Sequence, residues 1–333
     1  MDYVAPRWLR GGNLQTIWPA LGARGRAVAD VRYRRERWDA PDGDFIDVDR
    51  LDAPGDASGQ APLLVLFHGL EGSSLSHYST AFARYSKARG WAFAVPHFRG
   101  CSGEINRMPR AYHSGDHDEI DWILKRLRAS RRGPLMAVGV SLGGNALMVW
   151  SAREGAGAAR VVDAVASICA PLDLTAAGHA IGRGFGLRTY TPMFLRTMKS
   201  KALAKLAQYP GLFDEDALRA ARTLHRFDDI FTAPLHGFAG VDDYWLRASA
   251  KPLLARIQVP ALVLNALNDP FVPAASLPHP GQVGEHVTLW RPVHGGHVGF
   301  SQGLLARDMQ ALPRAVGGWL AQAVIDPQAM PHR

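Results

Sequence analysis

From residue 60 onward short apolar runs alternate with amphipathic stretches, a pattern few folds accept. The apolar runs are Leu63–His68, Ala92–Phe98, Leu135–Val140, Val161–Cys169, Ala261–Ala266 and His286–Val293, each of strand length. Helical periodicity falls at about 76–89, 114–130, 142–154 and 303–323. Buried strands alternating with amphipathic helices predict an α/β fold, a mostly parallel sheet covered by helices on both faces. Two further strand-like segments, 31–39 and 45–51, flank the turn-forming Ala40-Pro41-Asp42-Gly43-Asp44. Residues 1–30 read as an irregular N-terminal arm. The stretch 171–255 is too long for one crossover. It contains Gly182-Arg183-Gly184-Phe185-Gly186, an amphipathic helix at Met193–Gln208 and a Pro/Gly/aromatic loop at Thr232–Tyr244. It reads as a cap inserted between the two parts of a core, 31–170 and 256–325. Such a cap would sit over the C-terminal sheet edge, where open α/β folds bind ligands.

Within this framework Gly139-Val140-Ser141-Leu142-Gly143 joins the run Pro134–Val140 to the helical segment Leu142–Arg153. Strand, sharp turn and helix around G-x-S-x-G form the setting of a nucleophile elbow. The turn strains the serine backbone, so Gly139 and Gly143 must be small. The serine oxygen then stands above the sheet, and the helix start aims free N–H groups at any oxyanion formed there.

A serine hydroxyl needs a base, and the base needs an orienting acid. Both follow in chain order on loops after strands. Asn268-Asp269-Pro270 follows Ala261–Leu267, and His294-Gly295-Gly296-His297 follows His286–Trp290. Asp269 is the expected acid. Of the two histidines His297 is favoured as base, because Gly295 and Gly296 let the backbone deliver it over Ser141, whereas His294 reads as a structural histidine. Two N–H donors must meet the oxyanion. Leu142, after the nucleophile, is one. Leu70, in the glycine-rich loop Phe67-His68-Gly69-Leu70-Glu71-Gly72, is the candidate for the other.

Other chemistries find less support. Neither Cys101 nor Cys169 belongs to a metal or disulfide pattern, and both read as reduced, buried residues. The i,i+3 pair His294 and His297 lacks an acidic third ligand, so no metal is expected there. In His113-Ser114-Gly115-Asp116-His117-Asp118 the acids and histidine point to different helix faces, and a helix N-cap with acids in its first turn explains them better. No cofactor is expected. The net charge is +8, but no nucleic-acid-binding motif accompanies it, so no nucleic-acid partner is expected. The first residues have no signal-peptide layout and no run reaches membrane-span length, which points to the cytoplasm. Met193, Phe194, Leu195, Met198, Leu203 and Leu206 form a stripe beside Arg196, Lys199, Lys201 and Lys205. It could rest on a membrane surface, but reads more readily as a cap helix packing on the core or lining an acyl pocket. Phe185, Tyr190, Phe194, Phe238 and Trp245 are candidates for lining that pocket.

The chain resembles the YheT-like branch of the α/β-hydrolase superfamily, which includes bacterial hydrolases and eukaryotic abhydrolase-domain lipases. The resemblance is carried by Asn13-Leu14-Gln15-Thr16-Ile17-Trp18-Pro19, Phe67–Ser73, His97–Glu104, Tyr112–Gly115, Thr232–Phe238, Asn268-Asp269-Pro270-Phe271 and His294–Phe300. It implies a Ser141–Asp269–His297 triad and hydrolysis of a small-molecule ester or lipid, with an acyl chain. Acyl transfer from the same acyl-enzyme, and a non-catalytic ligand-binding module on this fold, are the alternative readings.

Overall fold

The computed structural model describes residues 3–22, 31–56 and 58–325. Eight strands form one sheet: β1 (Arg34–Asp39), β2 (Phe45–Leu51), β3 (Leu63–Phe67), β4 (Ala92–Pro96), β5 (Leu135–Val140), β6 (Ala164–Ile168), β7 (Ala261–Leu264) and β8 (Val287–Trp290). Their order is β1-β2-β4-β3-β5-β6-β7-β8. The β1–β2 and β2–β4 pairs are antiparallel and the rest are parallel.

The strands are apolar on both faces because both are covered. Leu63, Val65 and Phe67 of β3 face one core, with Ile123 of α3 (His117–Ala129) and Trp150 of α4 (Leu142–Glu154). Leu64 and Leu66 face the other, with Phe82 of α2 (His77–Ala88) and Leu320 of α12 (Ala311–Ile325). The period of two along one strand therefore separates two cores rather than core from solvent.

Between β6 and β7 the chain is helical: α5 (Leu174–Ile181), α6 (Gly184–Arg188), α7 (Tyr190–Gln208), α8 (Glu215–Ala220), α9 (Leu224–Phe227), α10 (Ala233–Leu235) and α11 (Val241–Ala248), with a π-turn at Asp228–Thr232. The expected loop at Thr232–Tyr244 is thus partly helix. It is anchored where the Tyr244 hydroxyl accepts the Ser114 N–H at 2.9 Å.

Two sequence expectations require larger correction. The N-terminal segment is not irregular throughout, because Gly11–Gly22 forms helix α1; residues 23–30 lie outside the described residues. The last helix begins at Ala311 rather than near 303, because Gly303 and Ala306 have positive φ and a Gln302–Asp308 bridge closes a turn there. Asp116 stands at the N-cap position of α3, yet its side chain does not cap. It pairs with Arg110 instead.

Candidate active site

Ser141 sits between β5 and α4 with φ 53° and ψ −120°. Positive φ in a non-glycine residue is strained and needs support. Support comes from the Ser141 N–H, which donates to Ile168 O at 2.8 Å. The elbow also excludes side chains on either side. A Cβ on Gly139 would lie 2.4 Å from Gly143 O, and one on Gly143 would lie 2.5 Å from Phe67 O.

The loops after β7 and β8 bring Asp269 and His297 to this serine. His297 Nε2 is 2.9 Å from Ser141 Oγ. His297 Nδ1 is 2.9 Å from Asp269 Oδ2. The Asp269 side chain is fully buried, and its other oxygen accepts the N–H groups of Phe271 and Val272 at 2.8 and 3.3 Å. A carboxylate so held accepts from Nδ1–H, leaving Nε2 to accept the serine hydroxyl. His294 is exposed and turned out of this arrangement rather than buried in it.

The donor loop lies after β3. Gly69 N–H donates to the Tyr78 hydroxyl at 2.9 Å and Glu71 N–H to the Tyr112 hydroxyl at 3.0 Å. Between these two tethered amides, that of Leu70 makes no hydrogen bond among the described residues. Leu142 is the first residue of α4, so its N–H precedes the helix's own ladder. Glu71 holds φ 56°, and its carboxylate accepts Lys201 Nζ of α7 at 2.8 Å and the Tyr112 hydroxyl at 2.8 Å.

Helix α1 holds the loops that carry Asp269 and His297 from behind, a role that sequence reasoning missed. Buried Gln15 accepts Gly295 N–H at 2.8 Å and Asn268 Nδ2 at 2.9 Å on one oxygen, and donates to Leu9 O. Thr16 accepts the His297 N–H at 2.8 Å. Asn268 accepts the Gly296 N–H at 3.0 Å. The approach is close: a Cβ on Gly299 would sit 2.0 Å from Gln15 O. In Asn13–Pro19 the polar residues set among apolar ones are the available sequence signal for this role.

A mostly apolar cavity opens over Ser141 and His297. Of the aromatic candidates, Phe194 and Trp245 are among its lining residues, beside Leu174, Ile181, Phe231 and Phe271. Three other candidates are not. Phe185 is half exposed. Tyr190 turns its hydroxyl to Asn13 and packs its ring on Phe271, at 4.6 Å between centroids. Phe238 packs against His113 and Tyr244 and borders a separate, polar cleft with Pro109, Arg153 and His236. Phe271, directly after Asp269-Pro270, stacks obliquely on the His297 ring at 4.3 Å. Two acids interrupt the apolar wall, Glu71 and Asp228; Asp228 accepts Thr232 Oγ1 at 2.7 Å and Trp245 Nε1 at 2.9 Å, and burial pushes its carboxyl up to about 6.

Neither cysteine offers a competing nucleophile. Burial pushes Cys101 up to about 11 and Cys169 well above its ordinary value, so both are protonated thiols at neutral pH. Cys169 is buried, as expected, but Cys101 is only partly so.

Comparison with known proteins places these features. A family profile described as the alpha/beta hydrolase fold matches residues 62–304. The Escherichia coli (strain K12) protein named "Putative esterase YheT" is 39% identical over 322 residues, covering 96% of this chain and 93% of that one. The Homo sapiens protein named "Phospholipase ABHD3" is 26% identical over 320 residues, 94% of this chain and 76% of that one. Among solved structures, mouse alpha/beta hydrolase domain-containing protein 10 superposes with a TM-score of 0.54 at 13% identity, over 87% of this chain and 99% of that chain.

Proposed function

The chain belongs to the alpha/beta hydrolase family, in its YheT-like branch, and on that premise we propose that it is a serine hydrolase of carboxylic esters using Ser141, His297 and Asp269. The observation that carries the reading is the pair of 2.9 Å contacts joining the two nitrogens of His297 to Ser141 and Asp269. Ser141 Oγ attacks the ester carbonyl as His297 Nε2 takes its proton. The N–H groups of Leu70 and Leu142 receive the tetrahedral oxyanion. His297 then protonates the leaving alcohol, and an acyl-enzyme remains on Ser141. A water molecule deprotonated by His297 releases the acid and restores the serine. Asp269 fixes the imidazole tautomer and stabilises the imidazolium in both halves.

The apolar cavity favours an acyl chain on the acid side of the ester. The helices between β6 and β7 are read as a cap, with 171–255 inserted between core segments 31–170 and 256–325. The relatives' names, an esterase, a phospholipase and, in Saccharomyces cerevisiae, a monoacylglycerol lipase, all describe acyl-ester chemistry.

The test is intact-protein mass after reaction with a fluorophosphonate probe. A single adduct on the native chain that disappears in Ser141→Ala supports the reading. An adduct that persists in Ser141→Ala, or esterase activity that survives it, overturns the reading.

A further inference from the structure

Helix α1 has two faces. Gln15, Thr16 and Pro19 are buried against the acid and base loops. Leu14, Trp18 and Leu21, at helical spacing on the other face, are 49%, 36% and 56% exposed. Trp18 does not stand alone. It meets Trp8 edge to face at 5.0 Å, and the two indole N–H groups donate to the carbonyls of Leu305 and Leu304. Leu304 and Leu305 project from their turn, Leu304 being 88% exposed. Hydrogen bonds thus hold two exposed indoles against the backbone of a turn whose two leucine side chains are also exposed. Across the Tyr190–Asn13 bond the surface continues to Phe185 and Met193, both about half exposed. Monomeric proteins rarely leave so much contiguous apolar surface in water without a use for it.

The charge around this surface is predominantly positive. No Asp or Glu occurs from Tyr3 to Gly22, or from Leu174 to Phe213. Exposed Arg7 and Arg10 bracket Trp8 along the chain, Arg183 and Arg188 bracket Phe185, and Arg307 follows Leu305. The acid on that turn, Asp308, accepts the Gln310 N–H and lies 3.9 Å from Arg314. Tryptophans and leucines within an arginine rim complement the headgroup boundary of an anionic bilayer, where indoles settle and arginines meet lipid phosphate. No helix among the described residues is long and apolar enough to cross a membrane.

We propose that the face formed by α1, the Leu304–Leu305 turn and the start of α7 docks on an anionic lipid surface. The opposite face of α1 holds His297 through Thr16, so docking sets the candidate active site one helix away from lipid. The inference concerns where the molecule rests, and it stands whether or not Ser141 is a nucleophile.

The test is co-sedimentation of the whole chain with sucrose-loaded vesicles of phosphatidylglycerol or of phosphatidylcholine. The native chain is expected to pellet with the first and stay in solution with the second. Salt at about 1 M, where charges are screened beyond about 3 Å, is expected to weaken binding. Leu21→Ser/Leu304→Ser/Leu305→Ser is expected to bind about tenfold or more weakly, having lost three inserted side chains. Its unchanged melting temperature and fluorophosphonate labelling would show that it folds. Ser141→Ala is expected to bind like the native chain, which separates failure of this inference from failure of the hydrolase reading. A native chain left in the supernatant with phosphatidylglycerol overturns the proposal, as does a triple leucine variant that pellets equally well. So does a native dimer that the triple substitution dissociates, which would make this face a contact between two copies.

Discussion

The backbone N–H of His297 donates to the hydroxyl of Thr16, 281 residues earlier in the sequence, at 2.8 Å. The same hydroxyl donates to Gly12 O at 2.7 Å, so it is both held and holding. An amide with this partner has one place to be, and the imidazole it carries is aimed accordingly.

Thr16→Val keeps the shape of this side chain and removes its oxygen. The expected outcome is a kcat lowered about 10- to 100-fold with KM little changed, since an unpaired buried N–H costs about 1–3 kcal/mol. Thr16→Ser is expected to recover most of the loss. Steady-state kinetics on a soluble short-chain ester distinguishes the two. A Thr16→Val enzyme with native kcat would show that the hydroxyl does not position His297.

Substitution within the proposed triad should cost far more. Ser141→Ala and His297→Gln are each expected to lower kcat by about 10⁴-fold or more, and the double variant little further, because the groups act as a unit. Additive losses, measured on the same ester, would contradict a shared mechanism.

The pH dependence of stability follows from a buried ring beside the donor loop. His68 is fully buried and accepts the Phe98 N–H on Nε2 while Nδ1 faces Gly69 O at 2.8 Å. That pair of bonds requires the neutral Nδ1–H form. Burial, reinforced by the neighbouring His97, lowers its pKa to about 3. The unfolded chain takes up a proton there below about pH 6.5, which the folded chain refuses. Unfolding therefore binds a proton at His68 in that window, which contributes a fall of about 1.4 kcal/mol per pH unit on acidification, and buried His113, lowered likewise to about 3, adds to the same slope. Urea denaturation at several pH values measures the slope. An NMR titration of the histidine rings should find His68 neutral down to about pH 4, and a ring that titrates near 6.5 would refute the assignment.

Adjacent glycines of α12 should respond oppositely to alanine. Gly318 is exposed and nothing lies within 4 Å of a Cβ there, so Gly318→Ala is expected to stabilise by about 0.5–1 kcal/mol through helix propensity. On Gly317 the same atom would lie 2.3 Å from the Tyr85 ring. Gly317→Ala is expected to destabilise by about 1–3 kcal/mol through overpacking. Thermal unfolding of both variants provides the comparison.

The strands of the sheet and the elbow were legible in the sequence because their signals are local. An apolar run, a turn glycine and a helix start speak within a few residues of one another, as at Leu135–Gly143. Helix α1 was not legible for the opposite reason. It carries two glycines at its start, Pro19 near its end and polar Gln15 and Thr16 on its buried face, so the usual pattern of apolar-in and polar-out is inverted. Those polar groups are explained only by backbone N–H donors near residue 296, which no local window contains. The pocket failed for a related reason. Tyr190 and Phe238 are apolar enough to line it, but the rotation of their segments is set by partners far along the chain, Asn13 for one and Tyr244 with His113 for the other. Phe271 lay beside the acid throughout, yet only the return of the His297 loop gives its ring a partner.

The clasp between residues 15–16 and 295–297 also imposes a schedule on synthesis. The contacts that hold the elbow around Ser141 all come from residues up to 168, whereas its proposed acid and base are made about 100 and 130 residues after that. Gln15 and Thr16 precede the amides they accept by 280 and 281 residues. On the proposed triad, Ser141 stays without acid and base until the segments around Asp269 and His297 have been made and the second of them is clasped by α1.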